Sequence, residues 1–136
     1  MCRLFIEGDP SLWEQHTRSL RLHGLSTSLR LETFFWNILA EIAERDALTL
    51  SQLVAKLYDE LLEARGETGN FASFLRVCCG RYLTLQVRGE VPAGPLIPIR
   101  NLDASRILLR ERAQNCAHQA PSQSEGAQET VSPKAA

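Results

Sequence analysis

The chain changes its hydrophobic period once, at Glu32, and that change limits what it can fold into. Before it, residues 18–31 read RSLRLHGLSTSLRL, with two alternating segments at 19–22 and 26–31. A period of two is the mark of a strand with one buried face. His23-Gly24 lies between the segments and could close them into a hairpin. The second segment is the better strand: Leu29 and Leu31 share one face, while Ser26, Ser28 and Arg30 share the other.

From Glu32 onward the apolar spacing is helical. Phe35, Leu39 and Ile42 form a stripe flanked by Trp36 and Ala43, which predicts a helix over residues 32–45. Thr49 is a good N-cap for the next helix. Leu50, Leu53, Val54, Leu57, Tyr58, Leu61 and Leu62 then make the strongest stripe of the chain, which stops near Gly66 and Gly69. Asn70 caps a third helix whose apolar face is Phe71, Phe74, Leu75, Cys78 and Tyr82, ending by about residue 85, with Arg76 and Arg81 off the stripe. The expected core therefore includes Leu29, Leu31, Phe35, Leu39, Leu53, Leu57 and Leu61.

The flanks read differently, so three regions are expected: an arm over 1–16, a folded domain over 17–88, and a linker with tail over 89–136. In the arm, residues 2–6 could pair as a strand, Asp9-Pro10 marks a turn, and residues 11–16 could begin a short helix. Leu4, Phe5, Ile6, Leu12 and Trp13 would anchor it to the domain. Residues 91–98 (VPAGPLIP) hold three prolines and a glycine and read as an extended linker. Asp103 could cap a helix over 103–112. Residues 114–136 are polar, without a large apolar cluster, and are expected to be disordered.

Charge is segregated. Between His16 and Leu31 stand Arg18, Arg21 and Arg30 with no acid, whereas acids outnumber bases over residues 32–69. The net charge of -1 hides a positive potential concentrated on the strand segment. No apolar run reaches the ~18 residues of a membrane span, and the first residues do not resemble a secretory signal, so a cytoplasmic location is expected. Cys2, Cys78, Cys79 and Cys116 lack a CxxC pattern. Cys116-Ala-His118 has no second ligand pair, so neither zinc nor another cofactor is expected. Cys78 and Cys79 read as inert thiols near an apolar helix face. An enzyme would need an exposed Cys2 as N-terminal nucleophile, and no accompanying catalytic set is visible, so the chain is not expected to be an enzyme.

A short strand followed at once by amphipathic helices poses a physical problem. A lone strand leaves its edges unpaired, and a second copy of the chain could pair with it antiparallel about a two-fold axis. One face of such a ribbon packs leucines on the helices, and the other carries short polar and basic side chains. A two-stranded ribbon fits the major groove of B-DNA.

At this point the sequence resembles the ribbon-helix-helix DNA-binding proteins, and more narrowly a bacterial subfamily of predicted DNA-binding proteins with that domain. The resemblance rests on RSLRLHGLSTSLRLE (18–32), FFWNILAEIAERD (34–46), LTLSQLVAKL (48–57) and GNFASFLRVCC (69–79), with MCRLFIEGDPSLWE (1–14) ahead of them. It implies a mostly α fold with a short β-ribbon, here with an extra third helix, forming a homodimer through an intermolecular ribbon. It also implies transcription regulation or an antitoxin-like repressor role on double-stranded DNA. By position, Ser26, Ser28 and Arg30 would contact bases. Arg18, Arg21 and the backbone at Thr49, Leu50 and Ser51 would contact phosphates. Were the first segment the ribbon, Arg18, Arg21 and His23 would be the readers. Two other readings stand beside this one: a protein-interaction module on the same fold, with a partner held by the tail, or surface arginines with no ligand.

Overall fold

The computed structural model describes residues 2–94 and 96–119. In chain order the elements are α1 (Cys2–Ile6), a 3-10 turn (Pro10–Trp13), β1 (Gln15–Leu22), β2 (Leu25–Glu32), α2 (Thr33–Arg45), α3 (Leu50–Arg65), α4 (Phe71–Val87), a second 3-10 turn (Ile99–Asn101) and α5 (Ala104–Gln119). The described residues divide into two compact units, one up to Leu102 and one from Asp103 onward.

The two alternating segments form one antiparallel hairpin, in register from Leu22↔Leu25 to Gln15↔Glu32. His23 and Gly24 both have positive φ, 52° and 79°. That is the primed turn whose twist matches a two-residue hairpin, and glycine takes its second position without a Cβ clash. β2 is therefore not a lone strand, and its partner need not come from a second molecule. β1 of the same chain supplies the second strand, and both segments belong to the ribbon.

Leu20, Leu22, Leu29 and Leu31 cover the inner face of the hairpin and are buried. They pack with Trp36, Ile38, Leu39 and Ile42 of α2, Leu53 and Val54 of α3, and Phe71, Leu75 and Cys79 of α4. Each such leucine removed from water contributes roughly 1.5–3 kcal/mol before the cost of ordering is counted. Of the expected core, Leu29, Leu31, Leu39 and Leu53 are buried, while Phe35, Leu57 and Leu61 are partly buried and pack against that cluster. On α4 the fully buried thiol is Cys79, and Cys78 is half-buried. Burial pushes both thiols up, Cys79 to about 12.

Helix ends follow the sequence signals. Thr49 and Gln52 form a reciprocal capping box at α3, and Gly66 closes that helix in the left-handed conformation. Asn70 caps α4 by accepting from the Ser73 amide at 3.1 Å. Glu32 gives α2 no side-chain cap. Its carboxylate instead accepts from Arg76 of α4 at 2.9 and 3.2 Å. That contact, first through the Arg76 hydrogen bond, holds the Glu32 carboxyl near 2, below the usual 4.5.

The flanks differ most from expectation. Residues 2–6 form a helical turn rather than a strand, supported by an Arg3–Glu7 pair at 2.9 Å. Their apolar side chains do not anchor: Leu4, Phe5 and Ile6 are 80%, 68% and 74% exposed, and Trp13 is 55% exposed. The proline-rich stretch, expected as an extended linker, runs through bends and a turn among its described residues and is docked. Val91 is buried, and Ile99 and Leu102 pack against the core. Arg45, only 4% exposed, donates from Nε to the Ile97 carbonyl at 2.6 Å. Asp46 accepts from the Ile99 amide at 2.6 Å, and Arg100 donates to the Asp46 carbonyl at 2.8 Å. Prolines kept this stretch from forming regular structure without keeping it from the core.

The second unit contains α5, capped by Asp103, which accepts from the Arg106 amide at 3.1 Å. The helix runs to Gln119, past the expected end at 112 and into residues expected to be disordered. Its alanines, glutamines and arginines favour helix without needing a buried stripe. The remainder of the expected disordered tail, residues 120–136, lies outside the described residues.

Candidate nucleic-acid interface

The hairpin register decides which polar residues share a face. With the four leucines inward, the outward residues are Thr17, Ser19 and Arg21 on β1 and Ser26, Ser28 and Arg30 on β2. They pair across the ribbon as Thr17↔Arg30, Ser19↔Ser28 and Arg21↔Ser26. All six are exposed. Short side chains thus occupy the middle and one guanidinium stands toward each end, on opposite strands. Four residues separate the two end pairs, which is about 13 Å at ~3.3 Å per residue.

Neither Arg21 nor Arg30 has an ion pair or hydrogen bond among the described residues. No acid occurs between Gln15 and Leu31, and Glu32 at the ribbon's end is engaged by Arg76. An acid-free face with uncommitted guanidiniums carries positive potential outward.

The other sequence candidates fall in different places. Arg18 has the parity of the inward leucines and cannot share the face of Arg21. Its guanidinium sits 5.3 Å from the centre of the Trp36 ring at the open end of the hairpin. His23 is in the turn, its Nδ1 3.4 Å from Asp59 Oδ1 of α3. At the start of α3 the Thr49 amide already donates to Gln52 Oε1 at 2.9 Å, and the Gln52 amide to Thr49 Oγ1 at 3.1 Å. The capping box therefore engages the Thr49 amide internally and leaves the Leu50 and Ser51 amides as uncommitted donors of the first turn. Thr17 and Ser19 were missed from sequence. The signal that finds them is their parity with Arg21, which acquires meaning only once both strands are known to form one ribbon. Cys2 is exposed in α1, and among the described residues no group of three His, Cys, Asp or Glu could hold a metal ion.

A two-stranded ribbon with a polar, basic outer face and helices packed behind it defines a DNA-binding regulatory module. The chain belongs to the ribbon-helix-helix domain family, whose model matches residues 15–83. That span includes both strands and most of α4, so the third helix is part of the matched domain rather than an addition to it. Domains of this family are DNA-binding regulators that generally act as dimers and are typically non-enzymatic. The fold is also similar to a solved structure, that of an uncharacterized protein from Bordetella pertussis Tohama I. The identity is 53% over 79% of this chain and 86% of that one, with a TM-score of 0.78. No curated protein matches the chain. No helix among the described residues is long and apolar enough to cross a membrane.

Proposed function

We propose that the chain is a sequence-specific, dimeric DNA-binding protein, a bacterial cytoplasmic transcriptional regulator or antitoxin-like repressor, that lays the outer face of its hairpin in the major groove. The observation that carries this reading is the pair of uncommitted guanidiniums, Arg21 and Arg30, on the acid-free outer face. Arginine can donate two hydrogen bonds to the O6 and N7 of a guanine. Set about 13 Å apart along the ribbon, the two would reach bases about four steps apart, at ~3.4 Å per step. Ser26 and Ser28, with Thr17 and Ser19 opposite, would contact the intervening edges with less selectivity. Arg18 and the free Leu50 and Ser51 amides would meet phosphates. Self-association rests on the family's general behaviour and on the strand edges: among the described residues each strand has one partner and so one unpaired edge.

The test is selection of bound sequences from a random duplex library, followed by affinity measurement for the selected site. Arg30→Ala should lower affinity for that site by about 1–3 kcal/mol and relax preference at one or two positions, with unchanged thermal stability. Recovery of no preferred sequence would defeat the reading. A second reading, a protein-interaction module, is favoured by the exposed apolar arm of Leu4, Phe5 and Ile6. It predicts no salt-dependent DNA mobility shift at all.

A further inference from the structure

A notch of about 240 Å³ lies between the first half of β1 and the first turn of α2, lined by His16, Arg18, Thr33, Trp36 and Asn37. Strand parity places His16 and Arg18 side by side, and Thr33, Trp36 and Asn37 fall on one helix face by their three- and four-residue spacing. Its frame is fixed by three hydrogen bonds. The Trp36 indole Nε1 donates to the His16 carbonyl at 3.0 Å. The Thr33 amide and hydroxyl both donate to the Glu14 carbonyl, at 2.9 and 3.2 Å. Trp36 is 3% exposed, so the aromatic wall cannot swing away.

The functional groups left facing this space include a guanidinium, a ring N–H and a side-chain amide N–H that can donate. Arg18, above the indole, has no ion pair or hydrogen bond among the described residues, and neither do the His16 ring or the Asn37 amide. No carboxylate lines the notch, and the nearby Glu32 carboxylate is held by Arg76 and Gln15. A guanidinium held over an indole face by cation–π attraction presents planar, forked donors, which suit a tetrahedral oxyanion better than a point charge on a flexible stem would. The Arg18 charge repels a cation despite the acceptor atoms of Asn37 and His16, and there is no enclosed apolar volume for a hydrocarbon.

We propose that this notch binds a phosphate group, held by the Arg18 guanidinium, the His16 ring N–H and the Asn37 side-chain amide. One source is a DNA backbone phosphate beside the ribbon, in which case the inference rests on the DNA-binding reading above. The other is a free phosphorylated small molecule.

Two measurements on the full chain separate these sources. In the first, inorganic phosphate is titrated against chloride at matched ionic strength, and the indole N–H of Trp36 and the side-chain amide of Asn37 are followed by NMR. Saturable shifts are expected in the wild type and not in Arg18→Gln, whose intact hairpin is checked by the Leu20 and Leu22 amide signals. In the second, affinity for a random-sequence duplex is measured against salt. Arg18→Gln should reduce the log–log slope by about 1, whereas Arg18→Lys should retain it. Asn37→Ala should weaken binding several-fold at every salt concentration with an unchanged slope. Shifts together with a slope change identify a backbone phosphate. Shifts without a slope change, or shifts in a protein that binds no DNA, identify a free phosphate ligand and leave the notch standing while the DNA reading is judged separately. Absence of both overturns the proposal.

Discussion

Two sets of arginines in one small domain behave in opposite ways. Arg21 and Arg30 stand on the outer face of the hairpin, exposed and without an ion pair or hydrogen bond among the described residues. Arg45 and Arg76 are folded into the structure: Arg45 is buried against the Ile97 carbonyl and the Tyr82 hydroxyl, and Arg76 forks onto Glu32. The residue type is the same, and the surroundings assign the role. A guanidinium engaged internally holds elements together, even where, as at Arg45, one buried nitrogen has no hydrogen-bond partner, whereas one whose donors are satisfied only by water can exchange that water for a base edge or phosphate at little structural cost. The contrast predicts that substitutions in the first set change binding and leave stability alone, and that substitutions in the second set do the reverse.

The largest effect is expected at Arg45. Arg45→Ala removes hydrogen bonds from a charged donor and leaves the Ile97 carbonyl to find another partner, so unfolding free energy in urea should fall by about 2–3 kcal/mol. DNA affinity of the folded fraction should not change. If stability is unaltered, residues 91–102 are held by their apolar contacts and the Asp46 hydrogen bonds, and Arg45 does not belong with the engaged set. Next comes Arg21→Ala, expected to cost about 1–3 kcal/mol in affinity for the selected site, as for Arg30→Ala, if it too makes a bidentate base contact. The double variant should lose roughly the sum, because residues more than ~7–10 Å apart with no shared partners are usually additive. A melting-temperature drop in either single variant would break the comparison.

Much of this division could be read from the sequence, and the failures have physical causes. Strand and helix stripes were legible because each has one buried face: the leucines alternate, and the α3 residues recur at three and four. Caps at Thr49 and Asn70 and the stop at Gly66 were legible because they are local chemistry. The pairing of the two strands was foreseen only as one of two possibilities, since a hairpin and an intermolecular ribbon place the same demands on the alternation. Arg18 was grouped with Arg21 by proximity in sequence, though their opposite parity puts them on opposite faces. The expectation of an anchored arm fails at Leu4, Phe5, Ile6 and Trp13, which are exposed, though Leu12 is half-buried and Glu14 and His16 are bonded to α2, and the proline-rich stretch expected as a linker is docked. Apolar content alone does not say whether a matching surface exists, and prolines do not prevent Val91, Ile99 and Leu102 from docking.

The hairpin turn offers the next smaller effect. Gly24 has φ +79° with open space around the position of a Cβ, so the cost of Gly24→Ala is conformational rather than steric crowding by neighbours. A stability loss of about 1–2 kcal/mol is expected. Because the turn sets the register, binding should weaken as well, by whatever fraction of the ribbon is misaligned. Gly24→Asn, which tolerates the left-handed region better, should recover most of both. Loss of stability without loss of binding would mean that the outer face keeps its register independently of the turn.

The smallest effect separates a charge pair from the two uncommitted arginines of the outer face. The Glu32 carboxyl is held near 2 rather than 4.5, first by the hydrogen bond from Arg76, and the pair is only partly shielded, at 23% and 32% side-chain exposure. A lowered folded value means that the contribution is fully present above about 4.5 and disappears as pH falls toward 2. Solvent screening keeps it small, so Arg76→Ala should cost under about 1 kcal/mol at pH 7. Urea unfolding midpoints of the wild type should therefore decline between pH 4.5 and 2 more steeply than those of Arg76→Ala. The two curves should converge at the acid end, where the wild-type carboxyl is protonated too. Arg30→Ala should follow the wild-type curve throughout, since its guanidinium faces no carboxylate in the folded chain. Parallel declines for the wild type and Arg76→Ala would show that the link between the end of β2 and α4 is made by packing. The arginine there would then be as uncommitted as those on the outer face, and the distinction between the two sets would rest on Arg45 alone.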